Sequence, residues 1–213
     1  MTKYVYVVGG SNYFPSAYYK PFAQFGNYTS SVRIVESSPK SIALAVFTGG
    51  EDVTPGLYGC ERHRQTYCRR DRDDREMAIF KLLQEKKIPI VGVCRGSQFL
   101  CVMAGGKLIQ HVNNHAGHWH NLRTDDDRLI WVSSTHHQMQ YPPEGSIPVA
   151  WAEPRRSTIY EGDGIDTPDR EHDCVFYPNI NALGLQYHPE FMDESSSGFQ
   201  YAGELVRRFF KLA

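Results

Sequence analysis

"IPIVGVCRGSQFL", residues Ile88 to Leu100, decides how this chain is read. Its first half is nearly continuous in apolar residues, as in a strand covered on both faces; its second half opens a short apolar helix that Gly105 and Gly106 stop. Cys94 sits where one becomes the other. Gly92 and Gly96 flank it at i−2 and i+2, the arrangement a tight strand-to-helix elbow requires, because side chains there would collide with the neighbouring strand and helix. Such an elbow aims the sulfur outward, and a helix N-terminus favours the thiolate through its dipole and free N–H groups. A cysteine in an apolar strand is ordinarily a small core residue. The paired glycines make Cys94 a candidate nucleophile, whereas Cys101, seven residues on and without such a turn, keeps the core reading.

Outward from the elbow, further apolar runs read as strands: YVYVVG from Tyr4, VRIV from Val32, IALAVF from Ile42, LIWVSS from Leu129, PVAWA from Pro148 and ALGLQY from Ala182. Helical patterns lie between them. DDREMAIFKLLQEKK, 73–87, is acidic at its start and basic at its end, matching the helix dipole, and Pro89 follows; a last amphipathic helix begins at Gly198. The sum is an α/β layered domain, with the stretch from about 107 to 160 expected as hairpins on one edge. At 213 residues one domain spanning 1–213 is expected. The 23 Lys and Arg nearly cancel the 24 Asp and Glu, so no basic footprint argues for nucleic acid. Five cysteines, at 60, 68, 94, 101 and 174, do not form a disulfide framework, and no signal-like start or 18-residue apolar run is present. These features predict a soluble, cytoplasmic protein with free thiols and no membrane partner.

A cysteine nucleophile needs a base and a group that orients the base. GLQYHPEF supplies both, with His188 and Glu190 two apart across Pro189 at the end of a strand-like run. On an extended segment these two would point the same way, so that Glu190 could hold one imidazole nitrogen while the other meets Cys94. An anion site is the third requirement. TGGEDVTPGLYG, 48–59, follows a strand and carries Gly49 and Gly50, whose bare backbone can expose an N–H; the N–H of Arg95, next after the nucleophile, is the expected second donor. The plainer reading of that loop is a turn with Asp52 or Thr54 capping a helix at Pro55.

Together GVCRGSQ, GLQYHPEF and TGGEDVTPGLYG resemble the class I glutamine amidotransferase superfamily, in particular its gamma-glutamyl hydrolase branch. DRDDRE (71–76), AGGKLIQHV (104–112) and SSTHHQ (133–138) support the resemblance, which runs from about Phe47 to the last helix. The first 45 residues match only as a strand-loop-strand framework. The resemblance implies a three-layer sandwich with a mostly parallel, flavodoxin-like central sheet and added β-hairpins. It implies a Cys94, His188, Glu190 triad, an oxyanion hole from Gly50 and Arg95, a substrate-amide contact from Gln98 and a substrate-side role for His137. It implies no metal or organic cofactor. The stretch 158–179 has no aligned counterpart.

Other clusters weigh against this reading less than their composition suggests. HVNNHAGHWH puts histidines at 111, 115, 118 and 120, but the spacing fits no standard zinc pattern and the segment reads as a surface loop entering a hairpin. Cys60, His63 and Cys68 lack a fourth ligand and read as a solvated loop. SNYFPSAYYKPF (11–22) lacks the basic stripe of a base-stacking surface and reads as a packed loop or part of a substrate cleft. Three functions remain open: a stand-alone hydrolase of gamma-glutamyl amides, a glutaminase feeding ammonia to a separate synthetase or amide ligase, and a catalytically silent binding module. An α/β-hydrolase would place its acid before a distant histidine. The intracellular-protease relatives usually carry histidine after the cysteine, where Arg95 stands.

Overall fold

The apolar runs come together as neighbouring strands in the computed structural model, which describes residues 2–9 and 15–212. The first half of the chain supplies β1 (Tyr4–Val8), β2 (Asn27–Thr29), α1 (Val32–Ser37), β3 (Ile42–Phe47), α2 (Arg70–Glu85), β4 (Ile90–Val93) and α3 (Arg95–Met103). Next come β5 (Lys107–Ile109), β6 (His111–Val112), β7 (His118–Thr124), β8 (Leu129–Ser134), β9 (Met139–Tyr141) and β10 (Ile147–Ala152). The chain closes with β11 (Tyr160–Glu161), β12 (His172–Tyr177), β13 (Ala182–Leu185) and α4 (Ser197–Phe210).

Among the described residues nine strands form one sheet in the order β2-β1-β3-β4-β13-β12-β10-β7-β8. From β2 to β13 every pairing is parallel; from β13 outward every pairing is antiparallel. The parallel half is covered on both faces, which is why β3 and β4 are buried along their whole length. Alternation sorts their side chains into two cores. Val5, Val7, Leu44, Val46, Val91 and Val93 pack with α4 and with Phe22 and Phe25 of the 3-10 segment Ala17–Phe25. Tyr6, Val8, Ala45, Phe47 and Ile90 pack on the opposite side with Phe80 and Leu83 of α2 and Phe99 and Leu100 of α3. The result is the expected three-layer α/β arrangement, with β7, β8 and β10 as the antiparallel extension anticipated for 107–160.

Two elements differ from the sequence reading. The run from Val32 forms α1 rather than a strand, because among its residues only Val35 is buried; the slot beside β1 is taken by Asn27–Thr29 instead. In the unaligned stretch 158–179, His172–Tyr177 forms β12 between β13 and β10, its pattern disguised by the polar pair His172 and Asp173. No helix among the described residues is long and apolar enough to cross a membrane.

Candidate functional site

Three neighbouring parallel strands end at one edge of the sheet, and each delivers one part of a site. The loop from Thr48 follows β3, Cys94 follows β4, and His188 comes just after β13. The crevice outside the carboxyl ends of parallel strands is where such sheets bind ligands.

Cys94 adopts φ 52° and ψ −109°, a conformation that strains any residue with a Cβ. Its N–H donates to the Leu185 carbonyl at 2.7 Å, tying it to β13, and its carbonyl accepts the Gln98 N–H at 3.1 Å as α3 begins. Both flanking glycines are required. A Cβ on Gly92 would run into the Gly96 carbonyl, and one on Gly96 into the Phe47 carbonyl of β3. Cys94 is only 8% exposed.

His188 is buried, with Nδ1 2.6 Å from Glu190 Oε1. The route to that contact is not the expected extended segment. Pro189–Phe191 forms a 3-10 turn, closed by the Phe191 N–H on the His188 carbonyl at 3.2 Å, and Glu190 curls back to the imidazole. A proline is pre-organised for the first position of such a turn. The Phe191 ring stacks on the imidazole with centroids 4.7 Å apart, and the Ser133 hydroxyl donates to the His188 carbonyl at 2.8 Å. Nε2 makes no hydrogen bond among the described residues, which leaves it for the sulfur. Burial pulls the His188 pKa down, but the negative charges of Cys94 and Glu190 beside it outweigh that and hold it up at about 10.

Gly49 marks where these groups converge. From the point where its Cβ would stand, the Tyr18 hydroxyl is 2.7 Å away, His188 Cε1 3.3 Å and Cys94 Cβ 3.6 Å. Any side chain at 49 would fill that space. Gly50 has φ 132°, a backbone that favours glycine. Arg95 opens α3 at the adjacent strand end, so the two expected N–H donors stand on neighbouring loops. Tyr18 was not singled out by sequence. It lies in Ala17–Phe25, and burial followed by the charges of Glu190 and Cys94 pushes its hydroxyl well above the usual tyrosine range. The only signal was its place in the aromatic stretch 11–22, of which residues 11–14 lie outside the described residues.

Gln98 is buried, and its amide nitrogen donates to the Gln138 carbonyl at 3.0 Å. His137 is partly exposed, with Nε2 3.2 Å from Asp52 Oδ1; that bond raises its pKa. The surface-loop reading of 111–120 is corrected. His115 and His120 are buried and pack with His136, ring centroids 5.2 Å and 4.5 Å from that of His115. His120 meets Asp173 at 3.0 Å and His115 meets Glu171 at 3.4 Å, while His118 stays exposed. Among the described residues no three His, Cys, Asp or Glu side chains are arranged to hold a metal ion.

A family model described as Peptidase C26 matches residues 28–159, a span that includes Cys94 and the loop from Thr48 but stops short of His188. A Mycobacterium tuberculosis protein named as a glutamine amidotransferase is 32% identical over 116 residues, covering 51% of this chain and 38% of that one. The chloroplastic carbamoyl phosphate synthase small chain of Arabidopsis thaliana is 27% identical over 125 residues, covering 57% and 27%. The matched segments span 38%, 48% and 38% of three of the curated relatives, less than half of each. Among solved structures, a glutamine amidotransferase from Thermotoga maritima has a TM-score of 0.60 at 16% identity, covering 100% of this chain and 87% of that one. With well over half of its residues matched by that model, the chain belongs to the Peptidase C26 family.

Proposed function

We propose that the protein hydrolyses a gamma-glutamyl amide bond through a gamma-glutamyl thioester, with Cys94 as nucleophile, His188 as acid and base, and Glu190 orienting the imidazole. One observation carries this reading: a strained cysteine, a carboxylate-bound histidine and a side-chain-free glycine loop meet within a few ångströms at the ends of β3, β4 and β13. The family points to the same chemistry at a coarser grain, hydrolysis of glutamine or a gamma-glutamyl amide.

The reaction follows from the charges present. The Cys94 thiolate adds to the gamma-carbonyl carbon, and the resulting oxyanion is received by the N–H groups of Gly50 and Arg95. The His188 imidazolium gives its proton to the departing amine as the C–N bond breaks, leaving the thioester. Neutral His188 then takes a proton from water, which adds to the thioester; collapse releases glutamate and restores thiolate and imidazolium. Glu190 holds Nδ1 and keeps Nε2 aimed at the reacting atoms.

A second reading is favoured by the similarity to a carbamoyl phosphate synthase small chain. In it the substrate is free glutamine and the ammonia passes to a separate synthetase or amide ligase. Glutamate release from glutamine and from a panel of gamma-glutamyl amides, wild type beside Cys94→Ala, tests both. Turnover of an amide by the isolated protein, lost in Cys94→Ala, supports the hydrolase. Turnover of glutamine alone, rising when an ammonia-using partner is added, supports the glutaminase. Equal release by wild type and Cys94→Ala would sink both.

A further inference from the structure

Beneath the candidate oxyanion site lies a buried ionic network that the proposed chemistry does not use. Arg72 of α2 and Arg95 of α3 are each 1% exposed, and Asp73 and Glu76 are fully buried. Glu76 takes Arg72 Nε on one carboxylate oxygen at 2.8 Å and Arg95 Nη1 on the other; Arg95 Nη2 closes on Asp73. Asp73 in turn accepts the Thr54 N–H at 3.0 Å, at the far end of the glycine loop.

From this base both arginines reach the loop after β3. Arg72 Nη2 donates to the Gly49 carbonyl at 2.9 Å and the Thr48 carbonyl at 3.2 Å, and Nη1 meets Glu51 Oε2 at 2.6 Å. Arg95 Nε donates to the Glu51 carbonyl at 3.1 Å. A trans peptide is planar, so its C=O and the next N–H point opposite ways. With the Gly49 carbonyl held toward Arg72, the Gly50 N–H is turned away from the buried network. The preceding peptide obeys the same rule: Thr48 offers its carbonyl to Arg72, and the Gly49 N–H meets the Tyr18 hydroxyl in the site. Glycine at 49 and 50 leaves these peptides sterically free to rotate, so an outside restraint must choose their orientation.

We infer that Arg72 is a positioning residue that locks the Gly49–Gly50 peptide with its N–H toward the reacting carbonyl, while the Arg95 side chain ties the same loop to the residue whose own N–H is the second donor. This rests on the function proposed above. Arg72 touches no reacting atom; losing it loses the oxyanion donor while the nucleophile and base remain.

Arg72→Lys keeps the charge but cannot reach both carbonyls and Glu51 in one geometry. Its kcat on gamma-glutamyl p-nitroanilide should fall by about 10²- to 10³-fold, as for loss of one oxyanion donor, with KM nearly unchanged. The affinity for glutamate gamma-semialdehyde, whose thiohemiacetal with Cys94 places an oxygen in the hole, should fall by the same factor as kcat/KM. Alkylation of Cys94 by iodoacetamide, which needs no oxyanion, should keep its wild-type rate. Glu51→Gln, which loosens the Arg72 contact at a partly exposed side chain, should give a smaller loss of the same pattern and carries the test if Arg72→Lys does not fold. Losses that follow alkylation rate or unfolding temperature, with semialdehyde affinity intact, would overturn the inference, as would full activity. Acylation of Cys94 by p-nitrophenyl acetate separates the two claims. A wild type that ignores gamma-glutamyl substrates but acylates faster than Arg72→Lys would refute the substrate and keep the positioning role; a wild type that does neither would refute both.

Discussion

At Cys94 the chain holds a conformation that costs of order 1–3 kcal/mol, and the neighbouring groups explain why it persists: the N–H is spent on Leu185 and the following carbonyl on the start of α3. His188 is the residue whose chemistry follows most directly from its surroundings. Its pKa stands above the unfolded value near 6.5, at about 10, so the charged form is the favoured one. The stabilisation it contributes is complete below pH about 6.5 and fades as pH rises through about 10. A profile of kcat/KM against pH should therefore stay level on its alkaline side until near pH 10. Loss of activity already near pH 7 would contradict that. In Glu190→Gln the imidazole loses a neighbouring charge, so the alkaline limb should move down and kcat should drop on the order of 10²-fold or more; an imidazole carbon resonance followed through the titration reports the first change directly. His188 and Glu190 were legible because they are near in sequence. Tyr18 was not, since its link to Gly49 spans β2, α1 and β3, a separation that only folding closes.

The strand-to-helix elbow is the element on which the site hangs. Gly96 lets α3 approach β3 so closely that its missing side chain is a packing feature, not a flexible joint. Gly96→Ala should thus cost about 1–3 kcal/mol by overpacking, and urea unfolding should locate the loss; an unchanged midpoint would mean that the elbow relaxes. The HPEF turn shows how element type and side-chain geometry can part company. An extended segment was the natural expectation for residues two apart that share a direction, yet a 3-10 turn brings the Glu190 carboxylate to Nδ1 just as well. The run from Val32 shows the converse. Its apolar residues suit a strand by composition, but one buried position does not sustain strand pairing when Asn27–Thr29 already occupies the edge of β1.

Across the whole molecule the site occupies the middle of the sheet and the less protected strands lie at its ends. β3, β4 and β13 have sheet partners on both sides and helices over both faces, whereas β2 and β8 are edges. Amide exchange should therefore be slowest in Val46, Val91 and Leu183 and markedly faster along β8, where Leu129 and Trp131 are exposed; uniform protection would argue that the sheet opens only as a unit. The sequence by itself determined β1, β3, β4 and β13 of the parallel half, because continuous apolar runs survive only where both faces are covered. It also determined the strand-to-helix elbow at Cys94, because two glycines bracketing a cysteine have a steric cause that local spacing reveals. Only the tertiary structure decided the rest: β12 hidden behind polar residues, the burial of His115 and His120 from a segment composed like a surface loop, the place of Tyr18, and the ionic lattice that joins Arg72 to Gly49. Each depends on contacts between residues distant in the chain, and an amphipathic or charged side chain carries no local mark of the partner that will bury it.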